Sequence, residues 1–323
     1  MKILHNRFFK QTFCLLFILL LVISCKEPAS DTIRIGVLDG PSAISFIRLI
    51  DKPLIINGKK TEVIIKSDPQ QIQALMMQKK LDFAILPTVM SANLFNKGIP
   101  YKIVAIPVWG TLYLVTSDHE ISSPENLAGK QISVFGQSAT PDILLQSFIK
   151  YYQLKNVKID YSFGGNHELA NALMQKKVRT AVLSEPLVSN ILHLDSTFRI
   201  VTKLNCEYLF NNTNTNIFAQ TSFLVSDKFI SDYQAHIHLI SDAYSNSCKF
   251  VNEHPDEAVK LCIKHHLLSN QVDARRVIQL CSIRYIGAFA VEPELMRYLS
   301  VIYNYNPSLI GGKMPDRDII YQP

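Results

Sequence analysis

One stretch of this chain returns at a fixed distance. Met77-Gln-Lys-Lys-Leu-Asp-Phe-Ala-Ile-Leu-Pro-Thr88 lies 97 residues ahead of Met174-Gln-Lys-Lys-Val-Arg-Thr-Ala-Val-Leu-Ser-Glu185, with Met, Gln, both Lys, Ala and Leu coincident. Asn93 and Asn190 keep the same offset, and so do Ile35-Gly-Val37 over Ile132-Ser-Val134 and Gly40-Pro-Ser42 over Gln137-Ser-Ala139. A single offset that serves two separate strand–turn–helix units implies two structurally similar lobes.

Each copy spells strand, helix, strand, helix, strand. In the first, β-rich Thr32 to Leu38 precedes an apolar helix from Ser42 to Ile50, a strand from Glu62 to Lys66, a helix from Gln70 to Lys80 and a buried strand from Asp82 to Leu86. The second predicts strands at Gln131 to Phe135, Lys158 to Tyr161 and Thr180 to Leu183, with helices at Pro141 to Tyr152 and His167 to Lys177. Alternation of this kind implies an α/β fold with mainly parallel sheets covered by helices. Ligands in such sheets sit beyond the carboxyl ends of the strands. The chain beyond about Ser226 predicts helices at Ser231 to Glu253, Pro255 to His266, Ser269 to Cys281 and Pro293 to Tyr303. With 48% hydrophobic and 19% charged residues, the chain is neither disordered nor fibrous.

Lys2, Arg7 and Lys10 precede an apolar run of 11 residues, Phe13 to Ile23, too short to span a bilayer and suited to a signal peptide. The run ends Val22-Ile-Ser-Cys25, which resembles the lipobox of bacterial lipoproteins. That resemblance implies a signal peptide over 1–24, lipidation at Cys25, a polar tether over 25–31 and an extracytoplasmic protein held to a bacterial membrane. Without the signal the net charge falls from +6 to +3, too weak and dispersed for a nucleic-acid binder. Cys206, Cys248, Cys262 and Cys281 are expected as buried free thiols. Cys262 and His265 lie one helical turn apart, but no second pair of metal ligands accompanies them, so no metal is expected.

Ile33-Arg-Ile-Gly-Val37, Asp82-Phe-Ala-Ile-Leu-Pro87, Asn126-Leu-Ala-Gly-Lys-Gln-Ile-Ser-Val134, Ser138-Ala-Thr-Pro-Asp142, Ala181-Val-Leu-Ser-Glu-Pro-Leu187 and Gly311-Gly-Lys-Met-Pro-Asp316 together span nearly all of the chain after the signal. This set resembles the periplasmic solute-binding proteins of ABC importers, in the group that includes nitrate, aliphatic sulfonate, taurine and thiamine-precursor binders. The resemblance implies the type II periplasmic-binding-protein architecture: lobe 1 from 32–112 and 222–323, lobe 2 from 113–221, two crossover strands and a central cleft. It implies a small-molecule solute, an ABC permease with its ATPase as partner, a monomer and no cofactor.

Ligand-binding residues are expected in the turns facing the cleft. Thr140 with Pro141 and Asp142 makes a helix start whose N–H groups suit an anion or carbonyl, which places Ser138 and Thr140 on the solute. Trp109, the only tryptophan, is expected to stack on a flat ligand, and Glu185, ending an apolar strand, to meet a donor-bearing one. Asp39, Ser42, Thr88, Gly165 and His167 complete the set. Trp109 with Glu185 favours a ring bearing amino groups, such as a pyrimidine precursor, over nitrate, while a sulfonate calls for more cationic side chains than these turns supply. The alternatives are an enzyme on the same fold acting on a small heterocycle, or a sensory lipoprotein. No Gly-x-Ser-x-Gly, His-Glu-x-x-His, P-loop or Gly-x-Gly-x-x-Gly supports catalysis.

Overall fold

The computed structural model describes residues 32–204, 218–269 and 273–323. Cys25 and Cys206 lie outside the described residues. The first copy of the repeat forms β1 (Thr32–Leu38), α1 (Pro41–Ser45), α2 (Ile47–Asp51), β2 (Ile55–Ile56), β3 (Lys59–Lys66), α3 (Pro69–Met77), β4 (Phe83–Pro87), α4 (Thr88–Asn96) and β5 (Tyr101–Val108). β6 (Leu112–Thr116) follows as a crossing strand, and the second copy forms β7 (Gln131–Val134), α5 (Thr140–Tyr151), β8 (Lys158–Asp160), α6 (Asn166–Met174), β9 (Thr180–Ser184), α7 (Leu187–Leu194) and β10 (Arg199–Leu204).

The repeat is visible in the register. Gly36 pairs with Ala84 in one sheet and Ser133 with Ala181 in the other, each residue displaced by the same 97. β1 lies parallel between β3 and β4, as β7 lies parallel between β8 and β9. Each parallel trio then receives an antiparallel strand from the crossings. β6 pairs with β9, Leu112 opposite Ser184, and β11 (Thr221–Ser226) pairs with β4, Thr221 opposite Pro87. The sheets are therefore mixed, in the orders β12-β5-β11-β4-β1-β3-β2, with β12 at Ile283–Gly287, and β10-β6-β9-β7-β8.

The helix expected from Ser42 to Ile50 is broken at Phe46, whose backbone leaves helical geometry between α1 and α2. Tertiary stacking decides this: the fully buried Phe46 ring lies on Tyr244 at 3.8 Å and against Phe223 at 5.9 Å. Tyr244 belongs to α8 (Asp227–Glu253), which with α9 (Pro255–Lys264) and α10 (Ala274–Leu280) covers one face of the first sheet. α8 begins earlier than its predicted start at Ser231, because Ser226 caps it by accepting the Phe229 N–H at 3.1 Å. α10 begins later than Ser269 for the same reason, with Asp273 accepting from Arg276 N–H. α11 (Glu292–Tyr305) closes the other face. Cys248, Cys262 and Cys281 are buried free thiols.

Candidate functional site

The chain passes from the first sheet to the second through Trp109-Gly-Thr111 and returns through Phe218-Ala-Gln220. These two passages are bolted together. Gln220 Oε1 accepts the Thr111 N–H at 2.6 Å while its Nε2 donates to Thr111 Oγ1 at 2.8 Å, and the same hydroxyl meets Ser184 Oγ at 2.8 Å. Gly110 has φ +79, and a Cβ there would lie 2.9 Å from the Phe218 ring, so only glycine lets the two strands cross this closely. Between the sheets lies a cleft of about 1240 Å³.

Asp39, Ser42, Ser138, Thr140, Gly165, His167 and Glu185 all line this cleft, joined by Asn93 and Asn190 at their shared offset. Two expected residues do not. Thr88 is fully buried beneath the wall at the start of α4, its N–H donating to Gln220 O at 3.1 Å. Trp109 turns away from the cleft: its indole N–H donates to Arg284 O at 2.7 Å, and the Arg284 guanidinium lies 5.0 Å above the ring. The tryptophan is a packing residue of the first sheet, held by β12, and its ring does not line the cleft where stacking on a ligand was expected. Sequence reading missed Gln220 and Thr221 on the cleft wall and Asn166, whose Oδ1 accepts the Ser184 N–H at 3.0 Å. A polar pair just before an apolar strand was the available signal for the first two.

Asp39 and His167 face each other from opposite walls. Asp39 Oδ1 accepts the Gly40 N–H at 2.7 Å, and Oδ2 lies 3.5 Å from His167 Nε2. The imidazole holds the Asp39 carboxyl below its ordinary range, and the carboxylate in turn raises His167.

Glu185 behaves differently. Its side chain is 1% exposed and turned into the first turn of α7, accepting from Ser189 N–H at 3.2 Å and Ser189 Oγ at 3.1 Å. Burial pushes its carboxyl up to about 7, only partly offset by the Ser189 bonds and the charge of Arg276. The residue thus presents backbone to the cleft while its carboxylate caps a helix, which corrects the expectation that it receives a solute donor.

The walls approach closely at Gly40, with φ +87, where a Cβ would lie 3.3 Å from Glu185 O across the cleft. Gly40→Ala therefore strains the turn by about 1–2 kcal/mol and props the walls apart. A thermal melt is expected to fall by about 2–4 °C, with solute binding weakened; an unchanged melt and affinity would remove Gly40 from the closing contact.

The sequence pattern of the NMT1/THI5-like family matches residues 57–258. The fold is shared with an ABC transporter protein from Parabacteroides distasonis, 31% identical, with a TM-score of 0.79 over 91% of this chain and 99% of that one. The periplasmic aliphatic sulphonate binding protein SsuA of Escherichia coli is 14% identical, with a TM-score of 0.70 over 91% and 93% of the two chains. The periplasmic nitrate-binding protein NrtA of Synechocystis PCC 6803 is 10% identical, with a TM-score of 0.64 over 87% and 83%. No curated protein matches the chain.

Proposed function

The chain belongs to the NMT1/THI5-like family and has the two-lobed fold of the periplasmic binding proteins of ABC importers, and from that premise we propose that it is an extracytoplasmic solute-binding protein. It captures a small organic solute between its two sheets by cleft closure and delivers it unchanged to an ABC permease. In this reading lobe 1 comprises 32–112 and 222–323, lobe 2 comprises 113–221, and lipid on Cys25 ties the protein to the membrane.

The observation that carries the proposal is the paired crossing at Thr111 and Gln220 beside a cleft of about 1240 Å³ whose walls come from both sheets. A joined double crossing permits rotation of two rigid bodies about one axis, and closure then replaces the solute's hydration shell with fixed donors and acceptors. Micromolar binding needs only about −8 kcal/mol.

The test is a thermal-shift screen of the protein against thiamine precursors, sulfonates, nitrate and amino acids, followed by recovery of the bound compound. A hit is expected to raise the melting temperature by mass action and to be recovered intact. Chemical turnover of the hit would favour an enzyme on this fold, and silence across the screen would reject the proposal.

A further inference from the structure

Helix starts with free N–H groups hold oxyanions. Around this cleft the protein has answered those starts with its own carboxylates. Asp39 takes the Gly40 N–H at 2.7 Å before α1, and Asp68 takes the Gln70 N–H at 2.9 Å before α3. Asp142 takes the Ser138 N–H at 2.8 Å beside α5, and Glu168 takes the Gly164 N–H at 2.9 Å before α6. Each carboxylate fills a donor that an oxyanion would use and offsets the positive end of its helix. Cationic side chains do not restore the balance. Among the described residues the cleft is lined by Lys97, His167 and His266 but by no arginine, the side chain whose planar fork suits sulfonate or nitrate.

Of these carboxylates, Asp39 keeps an oxygen turned toward the space between the walls. Oδ1 is used by Gly40, whereas Oδ2 meets the half-exposed His167 ring at 3.5 Å, a long contact that an incoming donor at hydrogen-bond distance improves on. A second feature of the wall points to a ligand. Thr221 lines the cleft and is buried, and its hydroxyl has no partner among the described residues.

Resting on the solute-binding reading above, we propose that the cleft takes an uncharged or cationic solute whose N–H groups dock on Asp39 Oδ2, and that it rejects oxyanions. A solute ammonium or amino group replaces the His167 ring as the partner of Oδ2 and gains a charge-assisted hydrogen bond in a space where closure reduces screening. A sulfonate in the same place meets a carboxylate and finds the Gly40 N–H already used.

Matched probes of opposite charge test this: benzylamine with benzenesulfonate and ethylamine with ethanesulfonate, titrated calorimetrically into the full-length chain as its host processes it. At least one amine is expected to bind ten times more tightly than its sulfonate partner. Asp39→Asn is expected to shrink that ratio below threefold while the melt of the unliganded protein stays in place. Should that variant fold poorly, His167→Gln serves, because removing the competing partner of Oδ2 is expected to tighten the amine about threefold. A sulfonate that binds as well as its amine overturns the inference and leaves the solute-binding reading standing. An amine preference that survives Asp39→Asn, or an amine loosened by His167→Gln, overturns it as well. No binding by any probe also counts against it, and only silence across the broader solute screen removes the parent reading.

Discussion

Trp109→Ala is expected to destabilise the protein by about 3–5 kcal/mol and to leave solute affinity within twofold. The indole is 8% exposed and packed in the core that joins the first sheet to α11. Truncation opens a cavity there, strips the Arg284 carbonyl of its 2.7 Å hydrogen bond and removes the ring beneath the Arg284 guanidinium. None of these losses touches the cleft wall. The backbone of Trp109 still donates to Ser282 O at 3.1 Å, so the strand pairing beside the crossing survives the substitution. Chemical denaturation measures the first effect, and titration well below the melting temperature measures the second. A tenfold loss of affinity with stability intact would return the ring to the solute.

The error over Trp109 and the success over the repeat have the same physical origin. The offset of 97 is a local signal written twice; it announced two equivalent lobes, and the sheets carry it through, Gly36 pairing with Ala84 as Ser133 pairs with Ala181. The direction of the Trp109 ring is set by β12, a five-residue edge strand whose Arg284 lies 175 residues beyond Trp109, past the whole second copy. Nothing within reach of residue 109 in the sequence announces Arg284. Phe46 shows the same limit, since the helix break there answers to Tyr244, far along the chain. Glu185 is a middle case. The turn was legible, but the spacing to Ser189 is that of a side chain folding back on a helix start, and this local pattern outweighed the fold-level expectation of a solute contact.

Glu185 also gives the molecule a measurable pH dependence. In the folded chain its carboxyl titrates near about 7, because burial disfavours the anion, against an ordinary value of 4.5. The folded state therefore holds a proton that the unfolded state releases. The group's contribution is intact below 4.5 and is lost progressively as the pH rises through about 7. At full effect this is worth about 3 kcal/mol. Glu185→Gln keeps an acceptor for Ser189 and mimics the protonated acid, so it abolishes this dependence. The variant is expected to match the parent protein near pH 4.5 and to exceed its stability by up to about 3 kcal/mol at pH 8. Carboxylates held low elsewhere, such as Asp51 under its hydrogen bonds from His265 and Lys264, act on the acid side and are common to both proteins, so the difference between the two denaturation series isolates Glu185. Parallel curves from pH 4.5 to pH 8 would mean that the carboxylate stays ionised in the folded protein, as it would if it opened to the cleft and its water.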